Sequence, residues 1–237
     1  MPEGKWTREE VLSLNPSDIG RGLTDGEIRN IFEVLGAGWI YQGEPDPSKP
    51  HAVLASEKCS NGYFNCRKVL CHPNLCGILA VQLVSLLKQL GIGRVDWVVG
   101  SAYSAITWSY EVAKALGACH GFVEKDPTDP KQKRMLWKEE IPEGSCVLQA
   151  EELITTLGTT EEVRRAITET NRSISFLPVV GALVHRPAAA KELNAGKVVA
   201  LLNTVIQTWE PQDCPYCKVG SPRVKPKANW ARLVGRT

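Results

Sequence analysis

Two adjacent carboxylates, Glu151 and Glu152, follow the apolar run Cys146-Val147-Leu148-Gln149-Ala150 and precede Leu153-Ile154-Thr155-Thr156-Leu157-Gly158-Thr159-Thr160. An acidic pair of this kind accepts hydrogen bonds from sugar hydroxyls, or holds the water shell of Mg²⁺, which takes one or two carboxylates and keeps several waters. The hydroxyl-rich turn after the acids opens a helix with apolar Val163, Ala166 and Ile167. Backbone N–H groups at such a helix start can surround a phosphate, with the hydroxyls of Thr155, Thr156, Thr159 and Thr160 and the helix dipole adding to the attraction. Polyol at one end and phosphate at the other describe a ribose phosphate. A plainer reading is a capping box, in which Thr159 and Glu162 serve only the helix start. It gives no purpose to the paired acids or to the Thr-Thr before the glycine.

These groups need a scaffold that brings strand ends together. The runs 95–99, 119–123, 146–150, 176–184 and 197–202 read as short strands that lack a period of two, as strands buried on both faces do. They alternate with helices expected at 104–116 and 161–170. Upstream, Thr24 as N-cap with Glu27 three residues on predicts a helix through Ile28, Ile31, Phe32 and Leu35 to Gly36. Leucines 79, 83, 86, 87 and 90 mark a helix over 75–90. The segment 43–50, with three prolines, can only be loop. The expected fold class is α/β, a mostly parallel twisted sheet flanked by helices. Ligands of such sheets bind just outside the carboxyl ends of the strands, so the turns after Val99 and Ala150 are where chemistry belongs.

Composition sets the outer bounds. The chain has 237 residues, 43% of them hydrophobic and 23% charged, which excludes a disordered or fibrous chain. A net charge of +2 supplies no overall field toward nucleic acid or an anionic membrane, so an anionic ligand must be held locally. No apolar run reaches the ~18 residues of a membrane-spanning helix. The first fifteen residues carry Glu9 and Glu10 where a secretory leader is apolar, so a cytoplasmic location is expected. Eight cysteines are too dilute for a disulfide scaffold, and Cys119 and Cys146 are expected as reduced, packed thiols.

The stretch from Glu151 to Thr160 resembles the phosphoribosyl pyrophosphate motif of type I phosphoribosyltransferases, an acidic pair ahead of a Thr-Thr-Gly-Gly-Thr type loop. The order of parts is similar to the orotate branch of that family. Ser56-Glu57-Lys58-Cys59-Ser60-Asn61-Gly62-Tyr63-Phe64 resembles its Ser-Gly-Lys-x-Ser segment with aromatic residues after it. Asp96-Trp97-Val98-Val99-Gly100-Ser101-Ala102-Tyr103-Ser104 resembles its pyrophosphate loop, and the likeness runs over about 53–167. The resemblance implies a transferase that moves ribose 5-phosphate from phosphoribosyl pyrophosphate to a nitrogenous base, orotate or a related pyrimidine, with Mg²⁺ as cofactor. Glu151 and Glu152 would hold the ribose hydroxyls, and Thr155, Thr156, Gly158, Thr159 and Thr160 the 5′-phosphate. Gly100, Ser101, Ala102, Tyr103 and Ser104 would contact pyrophosphate. Lys58, Ser60, Tyr63 and Phe64 would line the mouth of the base site, and Lys125, with Lys131, Lys133 and Arg134, would belong to a flap that closes over pyrophosphate. It further implies a small hood over the sheet, a homodimer and small-molecule partners alone, with no nucleic acid and no membrane. The corresponding division is 1–74 for the N-terminal helix, loop and hood, 75–208 for the α/β core and 209–237 for the tail.

Ser104, Ala105 and Leu157 stand where relatives often carry glycine, and the flap lacks a Lys-Asp-His-Gly type segment. These departures motivate an alternative, a non-catalytic relative that binds phosphoribosyl ligands as a sensor. Cys214-Pro215-Tyr216-Cys217 has the spacing of half a zinc site or of a redox pair. Val219, Gly220 and Pro222 argue against the helix that a redox pair opens, which leaves two reduced thiols in a turn as the plainer reading. Zinc would need partners, and Cys66, Cys71, His72 and Cys76 are the set the sequence offers.

Overall fold

The computed structural model describes residues 5–19, 21–130, 134–193 and 197–235. Thr7 and Thr24 each accept the N–H of a glutamate three residues on, while that glutamate takes the threonine N–H in return. These boxes start α1 (Arg8–Ser13) and α2 (Asp25–Val34), the second as its sequence predicts. Short strands follow, β1 (Gly38–Ile40), β2 (His51–Val53), β3 (Cys59–Ser60) and β4 (Gly62–Phe64), then α3 (Arg67–Leu70) and α4 (Pro73–Gln89), which begins on a proline. The core comprises β5 (Trp97–Ser101), α5 (Ile106–Leu116), β6 (Cys119–Lys125), β7 (Met135–Leu136), β8 (Cys146–Ile154), α6 (Gly158–Thr170), β9 (Ser175–His185), α7 (Ala190–Leu193) and β10 (Val198–Asn203). The chain closes with β11 (Thr208–Trp209), α8 (Pro215–Lys218), β12 (Arg223–Val224) and α9 (Trp230–Leu233).

Six strands form the main sheet in the order β10-β9-β8-β5-β6-β7, parallel except for the antiparallel edge strand β7. Both faces are covered. Val98 and Leu148 lie in the cluster that contains Leu79, Leu83 and Leu87 of α4 and Trp108 and Val112 of α5. Their neighbours Val99 and Val147 face the other way, toward Val163, Ala166 and Ile167 of α6. Apolar side chains are therefore needed at successive positions, which is why no alternation shows in the sequence. A second, four-stranded sheet in the order β11-β3-β2-β12 joins the N-terminal strands to the C-terminal ones, and β1 pairs with β4 beside it.

Two element ends differ from expectation in ways that matter for the site. β8 continues four residues past Ala150 because β9 keeps pairing with it, Glu151 opposite Ala182 and Ile154 opposite His185, after β5 has ended. Glu151 and Glu152 thus lie in the strand. α6 begins at Gly158, which leaves only 155–157 as turn and places Thr159 and Thr160 in the first helical turn.

The cysteines also depart from expectation. Cys119 is exposed and Cys146 half-buried, because both stand at the first position of a strand, at the edge of the core. Cys66, Cys71 and Cys76 turn to separate carbonyls, those of Glu152, Lys68 and Thr107, so that set does not converge. A helix does open at the pair, the one-turn α8, with Cys214 as its N-cap and Cys217 within it, since Pro215 starts it and only Gly220, in the left-handed region, ends the segment.

Candidate active site

The connections from β5 and β8 leave in opposite directions across the sheet, toward β6 and toward β9, so a crevice opens between their carboxyl ends. Ser101, the last residue of β5, donates from Oγ to Glu151 Oε2 at 2.6 Å across this crevice. Gln149 Nε2 donates to Oε1 of the same carboxylate at 2.9 Å. Glu151 is only 4% exposed. Its burial pushes the carboxyl up to about 7, against the opposing pull of Ser101 and Gln149, and the charge of Glu152 adds to the rise. Gln149 is itself held, since Arg164 Nε donates to its Oε1 at 3.3 Å while Arg164 also reaches the carbonyls of Leu177 and Val179. A guanidinium thus acts on Glu151 through one amide.

Successive side chains of a strand leave on opposite faces, so Glu151 and Glu152 diverge. The turn after β5 reaches toward both, because Ser101 bonds Glu151 and Ser104 lies close enough to Glu152 to favour its charged form. Burial raises the Glu152 carboxyl as well, opposed by its own backbone, by the nearby charge of Arg67 and by Ser104.

Beside the acids lies the start of α6. Its N-cap residue is Leu157, which offers no side-chain cap. Glu162 accepts from the Met135 N–H at 2.9 Å and pairs with Arg165 at 2.5 Å, so no capping box with Thr159 exists. The first-turn N–H groups therefore lack a side-chain acceptor of their own helix, and Thr156 and Thr159 stand exposed near them, with Thr155 half-buried and Thr160 buried. A Cβ placed on Gly158 would meet nothing within 4 Å, so the glycine leaves the helix start open. The Leu157 side chain turns away and packs against the cluster of Ile154, Val180, Ala182 and Ala200.

The turn after β5 is mixed in its agreement with expectation. Ala102, Tyr103 and Ser104 form it, with a cis peptide between Ala102 and Tyr103 and with Tyr103 81% exposed. Gly100, expected among the pyrophosphate contacts, has another reason to be glycine. A Cβ there would come within 2.5 Å of Ser109 Oγ and 3.2 Å of the Ala150 carbonyl, so the residue lets α5 press onto β5. Ala105 is fully buried where α5 begins.

A cavity of ≈ 540 Å³ is lined by Tyr63, Phe64, Asn65, Arg186, Lys225 and Lys227, among others. It adjoins the carboxylates through backbone, since Cys66 Sγ donates to the Glu152 carbonyl at 3.3 Å and Arg186 N–H to that of Ile154 at 2.8 Å. Tyr63 and Phe64 are in this lining. Ser60 is not, because it is buried in β3 and its hydroxyl is spent on the carbonyls of Gly62 and Gln207, at 2.8 and 3.1 Å. Lys58 is also outside the cavity lining, exposed and paired with Glu210 at 2.9 Å. Lys125 is exposed at the end of β6, and the turn beyond it is organised by buried Asp126, which accepts from the Thr128 N–H and hydroxyl. Lys131 and Lys133 lie outside the described residues.

Arg186, Lys225 and Lys227 escape the sequence reading. Arg186 follows β9, a strand end like the other two, and its Nε is buried without a hydrogen-bond partner among the described residues. Burial lowers its pKa, the mark of a cation held away from water. The two lysines belong to the basic Pro-containing tail, whose position over the cavity depends on β12 pairing with β2.

No family model matches the chain. It is 35% identical over 204 residues to the orotate phosphoribosyltransferase of Pelotomaculum thermopropionicum, which covers 86% of this chain and 97% of that protein. The orotate phosphoribosyltransferase of Desulforamulus reducens is 34% identical over 200 residues, 84% of this chain and 95% of the relative. Among solved structures, orotate phosphoribosyltransferase from Aeropyrum pernix superposes with a TM-score of 0.56 at 19% identity, over 74% of this chain and 93% of that one. The enzyme of Mycobacterium tuberculosis H37Rv gives 0.50 at 16% identity, over 74% and 95%. At those identities the structural likeness speaks to the fold, and the parallel sheet with its flanking helices is the shared part.

Proposed function

The chain belongs to the orotate phosphoribosyltransferase family, and from that premise we propose how its own residues carry the reaction. The enzyme transfers ribose 5-phosphate from phosphoribosyl pyrophosphate to a ring nitrogen of orotate. The bond from C1 to the pyrophosphate oxygen breaks, pyrophosphate departs with its electron pair, and the nitrogen forms the new bond to C1 while its N–H proton is lost to solvent.

The observation that carries the assignment of roles is the Glu151 carboxylate fixed by Ser101 and Gln149 at the crevice, one short turn from the uncapped start of α6. Glu151 and Glu152 hold the ribose hydroxyls, and the N–H groups from Gly158 onward, with Thr156 and Thr159, hold the 5′-phosphate. The turn of Ala102, Tyr103 and Ser104 faces pyrophosphate, and Lys125 contributes positive charge there. Orotate lies in the cavity beside Tyr63 and Phe64, its carboxylate toward Arg186 and the tail lysines Lys225 and Lys227. The reaction needs no protein nucleophile, so positioning and stabilisation of the departing charge supply the rate. Glu152, whose oxygens are less occupied than those of Glu151, fits the oxygen chemistry of Mg²⁺ together with the donor's own oxygens. When bound, that ion would neutralise charge on pyrophosphate. The homodimer and the cytoplasmic location implied by the family resemblance belong to the same proposal.

The sensor alternative rests on Ser104, Ala105 and Leu157. Leu157 and Ala105 turn inward, and Ser104 lies beside Glu152, so Leu157 and Ala105 do not obstruct the phosphate side, which favours a working enzyme. Orotate-dependent release of pyrophosphate from phosphoribosyl pyrophosphate with Mg²⁺ tests the reading. Release is expected with orotate and not with adenine. Binding of the donor without release in the presence of any base would support the sensor.

A further inference from the structure

Away from the crevice, the cysteine pair of the tail meets two residues of the N-terminal strands. His51 on β2, Cys59 on β3 and Cys214 and Cys217 at α8 place one ligand atom each within 4.8 Å of all the others. We propose that these four residues bind a structural zinc ion that fastens the C-terminal segment to the small four-stranded sheet.

The distances fit a tetrahedron before any metal is considered. With Zn–S of about 2.3 Å and Zn–N of about 2.0–2.1 Å, the edges of a tetrahedral site are about 3.8 Å between sulfurs and about 3.5 Å between sulfur and nitrogen. Cys59 Sγ and Cys217 Sγ are 3.5 Å apart, far beyond a disulfide, and His51 Nε2 lies 3.5 Å from Cys217 Sγ and 3.8 Å from Cys214 Sγ.

The histidine is also set in the ligating tautomer. Ser221 Oγ donates to the Lys49 carbonyl at 2.6 Å and so faces His51 Nδ1, at 2.8 Å, as an acceptor. Nδ1 then carries the proton, and the lone pair of Nε2 points at the thiols, the outer-shell arrangement usual for zinc-bound imidazole. His51, Cys59 and Cys214 are fully buried, and Tyr41, Tyr216, Trp39 and Trp209 enclose the cluster. All four ligands are supplied, with no position left for a substrate, which makes the site structural.

The surrounding architecture explains the need. The sheet it would clasp consists of β2 with three residues and β3, β11 and β12 with two each, and α8 has a single turn. So little backbone pairing does not hold a segment unaided, and small modules of this size are commonly stapled by metal.

The test is metal content of the full-length protein purified without chelator. About one zinc per chain is expected, retained in Cys71→Ser, whose thiol is exposed elsewhere, and lost in Cys214→Ser and Cys217→Ser. His51→Cys keeps a four-ligand set and should retain the metal, whereas His51→Ala should not, so a folding defect is separable from a ligand defect. Co²⁺ exchanged into the protein should show the visible bands of a tetrahedral thiolate site. Failure to take up Zn²⁺ or Co²⁺ with all thiols reduced would overturn the proposal, as would iron in these four ligands or a Cys59–Cys217 disulfide in the protein as purified. These readouts do not depend on which base the enzyme uses.

Discussion

At the residue scale the buried carboxyl of Glu151 ties activity to pH. With its pKa raised to about 7 by burial, it holds a proton near pH 6, where an exposed glutamate is ionised. Ribose hydroxyls donate hydrogen bonds, so in the proposed role they would bind the ionised form and drive that proton off. Affinity for phosphoribosyl pyrophosphate should fall by up to about tenfold per unit below about pH 7, with proton release visible by calorimetry in buffers of contrasting ionisation enthalpy. The donor's own phosphates also titrate, and Glu151→Gln separates the two, because only the residual slope of the variant belongs to the ligand. An identical slope in both proteins would refute the assignment. The same shift has a stability consequence of opposite sign. A carboxyl whose folded pKa is raised penalises the folded state progressively between about pH 4.3 and about pH 7. Ligand-free Glu151→Gln should accordingly melt higher than the parent at about pH 8, lose that advantage below about pH 4.5, and bind the donor at least ~10-fold more weakly.

At the element scale two glycines of the site do opposite work, and substitution tells them apart. Gly100→Ala forces a methyl into Ser109 and the Ala150 carbonyl, so α5 must lift from β5. Overpacking of this kind costs about 1–3 kcal/mol, and the melting temperature should fall with the KM for either substrate changing less than kcat. Gly158→Ala meets open space in the first turn of α6 and should raise stability by up to about 1 kcal/mol through helix propensity. Its methyl sits where phosphate is proposed to bind, so the KM for phosphoribosyl pyrophosphate should rise several-fold. A neutral Gly158→Ala in that assay would move the phosphate elsewhere. The sequence shows both glycines but not this difference, since close approach of α5 is a property of the packed layers. What it does show is whatever a few neighbouring residues decide. The Thr24–Glu27 cap, the leucine stripe of α4 and the acids at a strand end are of this kind. The reach of β8 to Ile154 depends on β9, and the burial of Ser60 depends on Gln207, which lies 147 positions away. The motif around Lys58 and Ser60 shows Tyr63 and Phe64, which do line the cavity, but not its cations, which come from the residue after β9 and from the tail.

Across the whole molecule the proposed roles give the two substrates different parts of the chain. Phosphate and ribose would face the main sheet, whose strand ends are fixed by layers covered on both sides. The proposed base side is assembled from β4, the end of β9 and the C-terminal tail, brought together by the small sheet that joins β12 to β2. With a net charge of only +2 the protein has no general attraction for anions, so orotate must be recruited by local cations. Arg186 is fixed by burial, while Lys225 is exposed and shares its charge with Glu57 at 2.6 Å. Exposed charges act over about a Debye length, ~10 Å at ~0.1 M salt. Replacing both lysines, Lys225→Ala with Lys227→Ala, should therefore raise the KM for orotate by about 3- to 10-fold at low salt, an effect of up to about 1.4 kcal/mol, and leave the KM for phosphoribosyl pyrophosphate within about twofold. The difference should shrink by ~0.5 M salt, where screening reaches a few ångströms. Arg186→Met should raise the KM for orotate at low and at high salt, because salt screens a half-buried charge much less than an exposed one. Equal losses for both substrates in the lysine variant would mean that the tail closes over the whole crevice rather than over the base.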